Sequence, residues 1–82
     1  MFDFVVLGFS ADVGWKALEV YGSNDFHAAT RRGDAWLEGR PAAAVAVVDC
    51  RPNYTGIDWH SVGYVPIDMP ERIEAAADAC RM

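Results

Sequence analysis

Cys50, Asp58 and His60 are the residues of this 82-residue chain whose types and spacing come nearest to a reactive set. Nucleophilic catalysis needs a Ser or Cys beside a base that a third group orients. Asp58 and His60 stand at i and i+2, which on a strand puts both side chains on one face. A hairpin turn between residues 50 and 57 would carry the thiol across to them. Asp58 and His60 could also ligate a metal, but no third ligand stands at a recognisable spacing. The plainer alternative for the pair is a solvent-facing histidine beside an edge-strand acid. Other routes to chemistry are thinner. Glu71 with Glu74, and Asp34 with Glu38, fall at i,i+3 and i,i+4, the spacing of a helix surface rather than of a cleft. The glycines are scattered, with neither a G-x-G-x-x-G nor a P-loop among them, so no nucleotide and no cofactor is expected. Cys50 and Cys80 have no C-x-x-C companion and no histidine at zinc spacing, and both read as small buried hydrophobes.

Charge narrows the classes further. Seven Lys and Arg stand against twelve Asp and Glu, a formal charge of -5. Direct nucleic-acid binding needs a surplus of positive charge, and the one adjacent basic pair, Arg31-Arg32, has Asp34 close behind it. A basic partner would be attracted; simple solubility is the competing explanation for the same charge. With 52% hydrophobic and 23% charged residues the chain belongs among folded globular sequences. Its longest apolar runs, Phe4 to Phe9 and Ala42 to Val48, are far shorter than a bilayer span. The start, Met-Phe-Asp-Phe, lacks the basic region and cleavage site of a secretory signal, so cytoplasm is the expected compartment. A length of 82 allows one core, hence one domain over residues 1–82.

The elements that would position these residues follow from periodicity. Phe2 to Phe9 is apolar at nearly every position and reads as a central strand covered on both faces. Ser10 to Gly14 supplies turn chemistry, and Trp15 to Tyr21 alternates as a second strand, with a helix over Asp12 to Val20 as the open alternative. Gly22-Ser23-Asn24 breaks that strand and offers an N-cap, with Asp25 in the first helical turn. Phe26, Ala29, Thr30, Gly33, Trp36 and Leu37 form the packing stripe of this helix, which Gly39 and Pro41 end. Ala42 to Cys50 reads as a buried strand. Pro52 to Gly56 is a turn, and Ile57 to Val65 completes a hairpin with Asp58 and His60 on one face and Ile57 and Trp59 on the other. Asp68-Met69-Pro70-Glu71 resembles a capping box and opens the last helix, with Met69, Ile73, Ala76, Ala77 and Cys80 buried and Arg72 and Arg81 left to solvent. The expected fold is α+β, ordered ββαββα: a four-stranded, mostly antiparallel sheet with two helices packed on one face.

Ten aromatic residues are generous for this length. Phe2, Phe4, Phe26 and Trp36 suit core positions, whereas Tyr21, Tyr54, Trp59, Tyr64 and Trp15 are hard to bury together. A sheet face left bare by the helices would show some of them beside carboxylates, as partner-binding surfaces do. The expected partner-binding set is therefore the helix carboxylates Asp25, Asp34, Glu38, Glu71, Glu74 and Asp78, with Tyr54 and Trp59 as anchors.

Taken whole, the chain resembles the small phage-encoded anti-CRISPR proteins that act on type I systems. The features that carry the likeness are the strand Phe2-Asp3-Phe4-Val5-Val6, the passage Val20-Tyr21-Gly22-Ser23-Asn24-Asp25 from strand to helix, and the strand Val45-Ala46-Val47-Val48-Asp49 after one amphipathic helix. The resemblance implies a non-enzymatic inhibitor in the host-cell cytoplasm. Such an inhibitor, alone or as a weak homodimer, would bind a crRNA-guided surveillance complex where target DNA lies, as an acidic DNA mimic. It carries over no binding residues, because such families share none. Two other classes stay open: a small hydrolase or metal-dependent enzyme built on Cys50, Asp58 and His60, and an antitoxin-like subunit of another complex.

Overall fold

Two stretches of the chain have no polar face, and both become interior strands. In the computed structural model, which describes residues 1–82, β1 (Phe4–Ser10) and β3 (Ala43–Asp49) pair antiparallel from Phe4 opposite Asp49 to Ser10 opposite Ala43. β2 (Leu18–Ser23) lies outside β1 and β4 (Ile57–Val62) outside β3, so the order across the sheet is β2-β1-β3-β4 and every neighbouring pair is antiparallel. The helices are α1 (Phe26–Leu37), between β2 and β3, and α2 (Met69–Arg81), which closes the chain. The α+β class and the ββαββα order are as the periodicity predicts.

The placement of the helices is not. Phe4 and Val6 of β1 and Ala43, Val45 and Val47 of β3 pack with Ala29 and Leu37 of α1. The alternate residues, Leu7 and Phe9 with Ala44, Ala46 and Val48, pack with Met69, Ile73 and Ala77 of α2. Side chains alternate between faces along a strand, so the helices cover opposite faces, correcting the expectation of two helices on one. The physical reason lies in β1 and β3. Leaving either face bare would expose a row of large apolar side chains, each worth about 1.5–3 kcal/mol of burial. α1 lies over β2, β1 and β3, and its cover thins out at β4.

Local chemistry sets the boundaries. The second strand is Leu18–Ser23 rather than Trp15 to Tyr21, and the helical alternative survives only as a 3-10 turn over Ala11–Val13. Val6 faces Tyr21 while Leu7 faces Glu19, so Val20 is an extra residue in β2 and forms a bulge. Asp25 is itself the N-cap of α1: its Oδ1 accepts the His27 N–H at 3.0 Å, while Ser23 Oγ accepts the Asp25 N–H. The capping box expected at α2 does not form. Asp68 makes no side-chain cap and instead accepts Arg72 Nε at 3.0 Å, an i,i+4 pair that competes for the same carboxylate. Two phenylalanines expected in the core lie at the surface: Phe2 is 49% exposed and Phe26 41%. Phe26 leans edge-on against the buried Phe4, ring centroids 5.4 Å apart.

Candidate functional site

The best-organised polar cluster stands at the end of β3. Asp49 Oδ1 accepts both the backbone N–H and the Nε–H of Arg51, at 3.1 and 3.0 Å, and Asp49 Oδ2 accepts from Arg51 Nη2 at 2.6 Å. This bidentate pairing aims the guanidinium plane over the rings of Tyr54 at 3.9 Å and Phe4 at 5.1 Å, both cation–π contacts. From the other side of the sheet, Arg81 at the end of α2 donates to the carbonyls of Asp49 and Gly56, each at 3.1 Å. The two arginines thus clamp the β3–β4 turn from both faces. Arg81 is therefore not left to solvent, as its place on the helix suggested.

Between the start of α1 and β4, Phe4, Phe26, Val47, Ile57, Asp49, Arg51 and Asp58 surround an open concavity of about 460 Å³. Its floor is apolar and its rim carries the charges. The hydrogen bonds from Arg51 hold the Asp49 carboxyl below its ordinary value of 3.8, against the opposing effect of its burial. A carboxyl with a lowered folded value contributes stability in full above 3.8, and that contribution is lost as pH falls through the lowered value. Arg51→Met should therefore destabilise the protein at pH 7, and the difference from wild type should close in acid below the carboxylate range. Urea midpoints for both proteins at pH 7 and pH 2.5 measure this, and a gap that stays constant would dissociate Asp49 from Arg51.

The set that suggested catalysis is divided by the sheet. Asp58 and His60 stand opposite Val47 and Val45 on the α1 face, with His60 Nε2 and Asp58 Oδ2 at 3.9 Å and both side chains half exposed. Cys50 packs against the opposite core, where it lines a separate hollow of about 210 Å³ with Val5, Glu19, Cys80 and Arg81. Burial raises the thiols of both Cys50 and Cys80, which disfavours the reactive thiolate. No base reaches Cys50 from the far face, and no third His, Cys, Asp or Glu joins Asp58 and His60 as a metal-binding set. The enzyme alternative loses its constellation on geometry.

The expected partner-binding residues separate into groups, because the helices that carry them lie on opposite faces. Asp25 caps α1 beside the concavity, and Tyr54, 53% exposed, flanks it through Arg51. Asp34 and Glu38 share the outer surface of α1 with Arg31 and Arg32, and Arg32 rests over the Tyr21 ring at 4.8 Å. Asp34 stands three residues after Arg31, a spacing at which it can neutralise that arginine, but the two are not within ion-pair distance. Trp59 is half buried against the α2 core rather than free as an anchor. Glu71, Glu74 and Asp78 stand exposed along one outward stripe of α2. Arg72 is held by Asp68, and Arg81 turns inward, keeping only a 4.0 Å contact with Asp78. Glu71 and Glu74 have no cation within ion-pair range.

Sequence reasoning missed the Asp49–Arg51–Arg81 clamp. Its signal was the Asp-Cys-Arg at the end of an apolar strand, where i and i+2 share a side. No helix of the structure is long and apolar enough to cross a membrane. No family model, curated protein or solved structure matches this chain.

Proposed function

We propose that this protein is a non-enzymatic acidic binding module whose contact surface is the outer face of α2. The observation that carries this is the stripe Glu71, Glu74, Asp78, in which the first two carboxylates have no neutralising cation, on a chain of net charge -5. Unpaired carboxylates on a rigid helix keep their full hydration and field, so they draw a basic surface in and set its register as they pair with its Lys and Arg. The α1 surface, where Arg31 and Arg32 stand among Asp34 and Glu38, is less suited to that role.

The partner class comes from the resemblance to anti-CRISPR proteins: the basic groove of a type I crRNA-guided surveillance complex, with inhibition through exclusion of target DNA. In this reading the protein works in the host cytoplasm, and Asp25 and Tyr54, at the concavity on the α1 side of the sheet, stand outside the contact. Glu71→Lys with Glu74→Lys tests it. Association with a type I surveillance complex, followed by interferometry at two salt concentrations, should slow about tenfold and lose most of its salt dependence. Both positions are exposed, so the fold should hold and the urea midpoint should fall only slightly, by the about 1 kcal/mol that reversing Glu71 in the first turn of α2 costs against the helix dipole. Binding unchanged by the double reversal removes α2 as the contact surface. A wild-type protein that neither binds the complex nor protects it from target DNA removes the partner.

A further inference from the structure

The two edges of the sheet are built differently. β2 is interrupted by the bulge at Val20, a device that discourages a further strand from pairing. β4 pairs with β3 without interruption from Ile57 to Val62 and carries no Pro, Lys or bulge, and no strand lies beyond it. The Asp49 N–H donates to the Gly56 carbonyl at 3.0 Å, which fixes the phase of the β3–β4 ladder. In an antiparallel ladder, directly opposed residues alternate between hydrogen-bonded and non-hydrogen-bonded pairs. Asp58, His60 and Val62 therefore turn their backbone groups toward β3. Ile57, Trp59 and Ser61 turn their N–H and C=O groups outward, toward an unoccupied side.

We infer that this edge pairs with the same edge of a second copy, β4 against β4 about a two-fold axis at Trp59, to give one continuous sheet. Backbone phase and charge both select this register. The outward groups of Trp59 must face an outward-turned residue, and on the axis they face those of Trp59 of the second copy, with Ile57 opposite Ser61 on either side. The non-hydrogen-bonded positions between them, where opposed side chains come closest, then set Asp58 against His60 of the second copy and His60 against its Asp58. Within one chain these two side chains already lie 3.9 Å apart on the α1 face, where cover from α1 is thin. The axis brings the four groups into an alternating ring in which each imidazole N–H has a carboxylate to donate to. Moving the axis to Asp58 would oppose Asp58 with Asp58, and moving it to His60 would leave Asp58 facing Val62. A carboxylate on an edge strand ordinarily repels a newcomer; here the chain supplies its own complement.

The flanks agree. Tyr54 and Tyr64, 53% and 95% exposed, lie at equal sequence distances on either side of Trp59. Running two β4 strands antiparallel about Trp59 brings the Tyr64 end of each beside the Tyr54 end of the other. Their exposure in the single chain is then the exposure of a surface waiting for its counterpart.

Sedimentation velocity and light scattering on the purified full chain test the pairing. Wild type should self-associate to a dimer below about 1 mM. His60→Glu, made singly, sets a carboxylate against Asp58 of the second copy, and Asp58→Lys takes away the acceptor that each imidazole N–H donates to, so each should weaken the dimer about tenfold or more. The double variant Asp58→Lys/His60→Glu restores opposite charges only in this register and should bring the dissociation constant back to within about threefold of wild type. Ser61→Pro removes an outward N–H without touching the bonds to β3 and should abolish the dimer while the chain stays folded by circular dichroism. Should that proline disturb folding, the charge series decides alone. A wild type that stays monomeric at 1 mM overturns the inference, as does a double variant no tighter than the weaker single one, or a folded Ser61→Pro protein that still dimerises.

Discussion

Gly63→Ala is expected to lower stability by about 2–5 kcal/mol, an unusually large cost for adding one methyl group to a solvent-exposed residue. Gly63 lies just beyond β4 with φ of 69°, where an L side chain already costs about 1–2 kcal/mol. A Cβ there would also collide with the carbonyl oxygen of Pro41 and lie 3.1 Å from Ala42 Cα. Those are backbone atoms at the entry to β3, so relief requires the strand or the loop to move. Gly39 makes the control: its φ is 78°, yet no atom lies within 4 Å of where its Cβ would stand. Gly39→Ala should therefore show the conformational cost alone, about 1–2 kcal/mol. Urea denaturation of both variants separates the two effects, and equal losses at Gly63 and Gly39 would mean that the loop after β4 does not approach residue 41.

Phe9→Ala should come close to unfolding the protein. Phe9 is 1% exposed, the bulkiest of the fully buried side chains, and part of the cluster that joins β1 to Met69, Ile73 and Ala77. Truncating a buried phenylalanine costs about 3–5 kcal/mol through lost burial and the cavity left behind. For 82 residues the whole stability is on the order of 4–12 kcal/mol, so the loss is a large share of it. The thermal midpoint should fall by roughly 12 °C or more. Phe2→Ala offers the contrast, because Phe2 is half exposed over Gly22 and its loss should cost about 1 kcal/mol. Similar melting temperatures for the two variants would mean that α2 does not seal the face on which Phe9 stands.

What the chain made legible was the kind and order of its elements. Strict alternation marked β4, a 3.6-residue stripe marked α1 and α2, and unbroken apolar runs marked β1 and β3. The last of these held more than was taken from it. A strand apolar on both faces demands cover on both, so Leu7 and Phe9 behind Val6 already required a helix on each side of the sheet. Placing both helices on one face also suggested one acidic surface from Asp25 to Asp78, which the opposite placement splits. The separation of Cys50 from Asp58 and His60 turns on the register of a turn: Asp49 meets Gly56, so residues in step with Cys50 are Ile57 and Trp59, not Asp58 and His60. No periodicity in either strand reveals that phase. The clamp of Arg51 and Arg81 on Asp49 was hidden for a different reason, since a surface arginine near a helix end reads as solvated until the neighbouring carbonyls are located.

The position of β1 has a consequence for how the molecule is made. The β1–β2 and β3–β4 ladders each join neighbours in the chain, but the ladder between β1 and β3 pairs Ser10 with Ala43 and Phe4 with Asp49 across the whole of β2 and α1. Closing so long a loop costs chain entropy before any contact repays it. On the ribosome, Phe4 to Ser10 emerges well before β3 and must wait, one flank unpartnered, until β3 has cleared the exit tunnel. Its other face stays uncovered until α2, which follows β4 in the chain, swings in behind it.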